Sequence, residues 1–348
     1  MFSRNKILVA GGAGFVGSNL VDFLLENDAS EIYILDNLLS SDVSNISLDN
    51  RVKFIYGSAN DVDVLDRIPH DLDYAFNLIC FHGNQSSIEK PFDDHEHNTL
   101  TALSLFNKLS QLPNLKKVVY AAAACAVAEK TFESPIATTE DQPISLYHDS
   151  PYSISKIIGE LYGNYFFQRN GLPIVKARFS NVYGPKEILG AGSWRGTHHT
   201  VWRNVIPTFI WKSLQREALP LDNGGNASRD FIYVRDMVRG LALCALHGEA
   251  GEVYNLATGR ETTIYDLASL INSITGNETP LDLKPARDWD RSGKRFASTE
   301  KAEKSLGFRA TTKIEKGITN TVRWFADNEY IISNNIKKHT KLLNGNIK

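Results

Sequence analysis

The chain has 348 residues, 42% hydrophobic and 22% charged, enough for one large or two smaller globular units with real cores. A formal net charge of −2 excludes the broad basic face that nucleic-acid or membrane-surface binding needs, while a local basic pocket for an anion stays open. Cys80, Cys125 and Cys244 are too scattered for a disulfide framework or a structural metal; no apolar run is long enough to span a membrane, and the polar start Ser3-Arg4-Asn5-Lys6 is no signal peptide, so a cytoplasmic setting is expected.

Residues 6–10 are a short apolar run and read as a buried strand. Gly11-Gly12-Ala13-Gly14-Phe15-Val16-Gly17 follows, and a helix is predicted over 18–26. Gly12, Gly14 and Gly17 fit G-x-G-x-x-G: one glycine for the tight turn, one for approach of a pyrophosphate, one for helix–strand packing. The positive end of the helix would face the phosphates; without a ligand, the segment is only a glycine-rich turn. A second strand over 32–36 ends on Asp36, where a carboxylate can take ribose hydroxyls and repel a 2′-phosphate. NAD is therefore expected over NADP. A third strand over 52–56 precedes Asp61, which caps either the adenine amino group or a helix. Further strands are predicted over 74–79 and 117–121, with a helix over 95–110 between them. Expected cofactor contacts are Gly11, Gly14, Phe15, Val16, Gly17, Asp36, Asn37, Asp61, Val62, Ile79, Ala121, Tyr152 and Lys156.

A helix over 151–168 starts with Ser150 as N-cap and Pro151 in the first turn. Tyr152 and Lys156 lie four apart and share a face. A free phenol, with a pKa of about 10, is too weak a base at neutral pH, and bringing it near 7 takes about 4 kcal/mol. The ammonium, the positive nicotinamide of bound NAD and the helix N-terminus could supply that. Tyr152 would then take a hydroxyl proton as hydride leaves for NAD; the alternative is a surface Tyr/Lys pair. A strand over 174–178 completes an alternation that implies an α/β fold, a Rossmann-type doubly wound parallel sheet. After Pro185 the character changes: a Gly/Trp/Arg/His loop over 186–203, an apolar helix over 205–214, a strand near 251–258 and a charged loop over 285–294. The division expected is a NAD-binding domain over 1–180, joined by that later strand, a smaller mixed α/β substrate lobe over 181–330, and a polar, frayed tail over 331–348.

These motifs, with Arg178-x-x-Asn181-Val182-Tyr183-Gly184-Pro185 and Arg229-Asp230-Phe231-Ile232-Tyr233-Val234, resemble the extended short-chain dehydrogenases/reductases, the NAD-dependent nucleotide-sugar epimerases and dehydratases, over roughly residues 5–325. The resemblance implies NAD in the first lobe, a nucleoside-diphosphate sugar in the second, and a homodimer built from two helices per subunit. It implies that Tyr152 and Lys156 are catalytic, that Asn181 contacts the substrate diphosphate or sugar, and that Asn204, Arg229 and Arg291 hold phosphates. Asn98 would support the nicotinamide side, and His82 stands where related 4-epimerases carry a lysine.

The pattern departs in one place. The family usually has Ser or Thr where this chain has Ala124, within Ala121-Ala122-Ala123-Ala124-Cys125-Ala126. Cys125, Thr131 and Glu129 are candidate substitutes, Cys125 as a substrate contact. Cys125 and Ala126 also occupy the places of the Asp-Glu pair of 4,6-dehydratases, which disfavours dehydration, and decarboxylation likewise. Oxidation at C4 remains: a nucleotide-sugar 4-epimerase, or a 4-dehydrogenase/reductase on a sugar that could be a heptose, with a non-catalytic NAD-binding sensor as a third reading. The loop over 190–203 is longer than is usual, and its Arg195 could pair with phosphate or stack on a base; the alternative is a loop packed on its own lobe.

Overall fold

The computed structural model of the chain describes residues 1–81, 83–124, 131, 133–286 and 293–344. Seven segments pair into one parallel sheet: β1 (Lys6–Ala10), β2 (Glu31–Asp36), β3 (Val52–Tyr56), β4 (Tyr74–Asn77), β5 (Lys117–Ala123), β6 (Ile174–Phe179) and β7 (Val253–Leu256). Their spatial order, β7-β6-β5-β4-β1-β2-β3, is the expected Rossmann-type arrangement. Because β1 has β2 on one side and β4 on the other, a crevice opens beyond the carboxyl ends of these strands.

The longer helices are α1 (Phe15–Glu26), α2 (Thr101–Leu109), α3 (Pro151–Asn170), α4 (Val205–Leu214), α5 (Val234–His247), α6 (Ile264–Thr275), α7 (Ile314–Asp327) and α8 (Glu329–Lys337). The sheet is apolar on both faces, so both must be covered. Leu20 and Leu24 of α1 and Met237 and Leu241 of α5 pack with Ile7, Val9 and Ile34. Leu105 and Phe106 of α2 and Phe166 of α3 pack with Leu8, Leu35 and Val118 on the other side. A third core joins α4, α6, α7 and α8 through Phe209, Ile271, Phe325 and Ile332. Buried Arg178 of β6 donates to both carboxylate oxygens of Glu160 in α3 at 2.9 Å, locking the helix that carries Tyr152 and Lys156 onto the sheet.

Several boundaries differ from the pattern. α1 begins at Phe15 rather than residue 18, because extended Gly14 already serves as its N-cap. β4 stops at Asn77, whose side chain accepts from the Ile79 backbone N–H at 3.2 Å and turns the chain. The segment predicted as one helix over 95–110 opens with a π-helical turn, His95–Leu100, before α2. The largest correction concerns the tail, which is not frayed up to residue 344: α8 and a short turn, Thr340–Leu343, dock on the body. Ile332, Asn335 and His339 are buried, so its sparse apolar content hides a one-sided stripe at helical spacing.

Candidate active site

Gly11 has a φ of 79°, and a Cβ there would meet the Leu78 carbonyl carbon at 2.8 Å, so β1 and the β4 loop approach closely only with glycine. No side chain caps α1 at Gly14, which leaves the first-turn N–H groups of a 12-residue helix for a ligand. Asp36 Oδ2 accepts from the Ala13 N–H at 3.0 Å and Oδ1 from the Leu38 N–H at 2.8 Å, with Ser41 Oγ 3.3 Å from each. Burial pushes this carboxyl above the usual aspartate range. It therefore ties the glycine loop to the loop after β2 while facing the crevice. A cavity of about 480 Å³ brings together Gly11, Gly14, Phe15, Val16, Gly17, Asp36, Asn37, Ile79, Ala121, Tyr152 and Lys156. An uncapped helix start beside a buried carboxylate fits an NAD-type dinucleotide.

Ser150 accepts from the Ser153 N–H and N-caps α3, with Pro151 in its first turn, as predicted. This sets Tyr152 at the cavity with Lys156 one turn along. The buried Lys156 Nζ donates to the Ala121 carbonyl at 3.0 Å and lies 5.9 Å from the centre of the Tyr152 ring. Tyr152 Oη lies 3.9 Å from the thiol of Cys80, in the loop after β4. Ala121, Ala122, Ala123 and Ala124 all line the cavity, so the end of β5 brings no hydroxyl to it as far as residue 124.

Asn181, Asn204 and Arg229, expected from the resemblance to hold the substrate, line the same cavity. Asn181 stands in a short strand, Asn181–Tyr183, that pairs in parallel with Phe231–Tyr233. Asn204 donates to Glu187, and Arg229 Nη1 donates to the Ser228 and Gly293 carbonyls, each at 2.6 Å. Asp230 of the same motif accepts from the N–H groups of Thr258 and Gly259, both at 2.9 Å, and fixes the chain after β7.

Other predicted residues fall elsewhere. Asp61 accepts from the Asp63 N–H at 2.9 Å and caps a short helix, while Val62 is exposed; neither lines the cavity. Asn98 stands behind the cavity, clamping Phe81 N–H and C=O at 2.8 and 3.2 Å and donating to buried Asp94 at 2.7 Å. Arg195 is 2% exposed and braces the loop after β2, donating to Ser40 Oγ at 2.9 Å. Burial, with repulsion from Arg203, pushes its guanidinium down to about 9. Thr131 Oγ1 accepts from the Glu133 N–H at 3.0 Å, away from the cavity. His82, Cys125, Glu129 and Arg291 lie outside the described residues.

The loop over 186–203 and the chain's last helices together clasp the loop after β2. Ser193 N–H donates to the Leu39 carbonyl at 2.9 Å and Arg203 Nη1 to the Ser40 carbonyl at 3.0 Å. Asn335 Nδ2 donates to Asp42 at 2.9 Å, and His339 Nε2 lies 3.0 Å from the Gly190 carbonyl. Sequence reasoning missed Cys80, Arg203 and Arg295 as cavity residues. Cys80 directly follows Ile79, and that adjacency was the only signal.

The sequence profile of the NAD dependent epimerase/dehydratase family matches residues 7–257. The chain is 30% identical over 323 residues to a "Putative UDP-glucose 4-epimerase" of Methanocaldococcus jannaschii, covering 92% of this chain and 99% of that one. The structure of the Bordetella bronchiseptica enzyme WbmF in complex with NAD+ and UDP is similar at 48% identity and a TM-score of 0.89, over 99% of this chain and 98% of that one. The UDP-glucose 4-epimerase of Thermotoga maritima with UDP-glucose is similar at 30% identity and a TM-score of 0.83, over 93% and 99%. With the family profile matched over residues 7–257 and a relative at 30% identity covered almost throughout, the chain belongs to the NAD dependent epimerase/dehydratase family.

Proposed function

We propose that the chain is a nucleotide-sugar 4-epimerase that acts on a uridine-diphosphate sugar. The observation that carries this reading is the convergence of Tyr152 and Lys156 with the dinucleotide cradle and with Asn181, Asn204 and Arg229 in one cavity. NAD, which Gly11, Gly14, Gly17 and Asp36 would hold, would supply reversible hydride acceptance. Tyr152 takes the proton of the C4 hydroxyl as the C4–H bond breaks, leaving a carbonyl at C4. Lys156, held on the Ala121 carbonyl, places its positive charge near the phenol and favours the phenolate. Asn181, Asn204 and Arg229 hold the nucleotide while the sugar ring turns, and Tyr152 gives the proton back when hydride arrives on the opposite face. The relatives named for UDP-glucose epimerisation and the UDP complex of WbmF support the choice of nucleotide. In sequence, Cys125 and Ala126 stand where the resemblance puts the acid–base pair of dehydratases, and neither can do that work, which disfavours loss of water. The same reading includes a homodimer formed by α2 and α3.

Incubating the NAD-loaded protein with UDP-glucose, UDP-N-acetylglucosamine and UDP-glucuronate, followed by mass spectrometry and proton NMR, tests this. An isomer of unchanged mass is expected. Loss of two hydrogens would instead make it a dehydrogenase, and loss of water a dehydratase.

A further inference from the structure

Among the described residues, the charges that line the cavity leave one cation over. Its three carboxylates among the described residues, Asp36, Glu187 and Asp230, are each engaged inside the protein. Asp36 and Asp230 hold backbone N–H groups, and Glu187 accepts from Asn204. Four of its five lysines and arginines among the described residues are engaged too. Lys156 donates to Ala121, Lys186 pairs with Asp22, and Arg203 and Arg229 donate to main-chain carbonyls. The fifth, Arg295, has no hydrogen bond, ion pair or ring contact among the described residues.

Its backbone is nevertheless fixed. Lys294 N–H donates to the Thr131 carbonyl at 2.6 Å, and the Phe296 carbonyl accepts from the Thr138 N–H at 3.0 Å. Arg295 is thus held between two tied neighbours, against the chain that follows β5, and is one of the residues that line the cavity. A guanidinium presents a planar fork of donors that matches phosphate or carboxylate in bidentate fashion.

We infer that Arg295 binds an anionic oxygen group of the substrate, either a phosphate of its diphosphate or a carboxylate on its sugar. The inference rests on the nucleotide-sugar reading and adds to it a residue four positions beyond Arg291, the arginine expected from sequence.

Calorimetry on the NAD-loaded wild type and Arg295→Gln, titrated with UDP, UDP-glucose and UDP-glucuronate, tests it. Affinity is expected to fall at least about 10-fold, the loss of one charge-assisted contact. An equal fall for all three ligands assigns the phosphate, and a fall for UDP-glucuronate alone assigns the carboxylate. NAD affinity should not change. Wild-type affinity of the variant for all three ligands would overturn the assignment and leave the nucleotide-sugar reading standing. If the wild type itself binds none of them, that reading falls and the assignment with it. Should Arg295→Gln not fold, Arg295→Lys, which keeps the charge without the fork, allows the same comparison with a smaller loss.

Discussion

Tyr152 has its phenol at the cavity while the nearby ammonium of Lys156 is tied to the main chain of β5. In the proposed mechanism, removing the phenol oxygen takes away the proton acceptor and leaves the glycine loop and Asp36 in place. Tyr152→Phe should therefore slow hydride transfer on the order of 10²-fold or more, with NAD binding nearly unchanged; full single-turnover NADH absorbance would refute the mechanism. Ala124→Ser restores a hydroxyl at the end of β5 and should leave the rate unchanged or raise it, whereas a slower rate would show that another group already fills that place. Asp36 gives a pH dependence. Its carboxyl is raised by burial, so it takes up a proton above the ordinary aspartate range and loses acceptor capacity as pH falls. NAD affinity by calorimetry should weaken on acidification from that higher pH, and NAD should bind more tightly than NADP at neutrality. Comparable affinities for the two would remove this role from Asp36. At this scale the motifs were legible where chemistry and spacing coincide, as at Gly14, Asp36, Tyr152 and Lys156. Asp61 and Asn98 show the limit: a short polar side chain serves a helix cap or a second layer as readily as a ligand, and only its partners decide.

Among the elements, the clasp on the loop after β2 has two separable parts. Gly192 has a φ of 80°, and a Cβ there would run into the Leu39 carbonyl. Gly192→Ala should cost about 2 kcal/mol or more and weaken NAD binding through the displaced loop; unchanged calorimetric affinity would show that the clasp does not govern the cofactor. The second part is His339, which burial holds below its ordinary value. Above about pH 6.5 the docked and undocked imidazoles are both neutral and docking is at full strength. As pH falls below that, the undocked form takes up the proton first and docking weakens. Hydrogen-exchange protection over 329–344, taken relative to the intrinsic exchange rate at each pH, should fall from pH 7.5 to pH 5.5 in the wild type and much less in His339→Gln. Strands were readable because β1 to β6 are short apolar runs bounded by turns. The last helices were not, because one buried face built from Ile332, Asn335 and His339 looks polar in composition.

The whole molecule shows an apolar stripe on the outside of the helix pair over the sheet. Ile154, Leu161 and Tyr165 of α3 are 45%, 55% and 55% exposed at helical spacing, with Leu100 beside α2 at 39%. A second copy covering this stripe is the expected homodimer. Sedimentation equilibrium should give a dimer at micromolar concentration, and Leu161→Glu with Tyr165→Glu should shift it to monomer; a monomeric wild type would remove the proposal. The parallel sheet followed from alternation of strand and helix signals, whereas the tie between the loop after β2 and α8 could not be read locally. Asp42 and Asn335 stand 293 positions apart in the chain. That distance bears on how the molecule assembles. Contacts that close long loops form late in folding, because their entropy is lost before anything is gained. The sheet can reach its native content while the rim of the crevice beside Asp36 is still loose. During refolding, helix and strand signals should therefore recover first, and the capacity to retain the dinucleotide should follow as a later, slower phase.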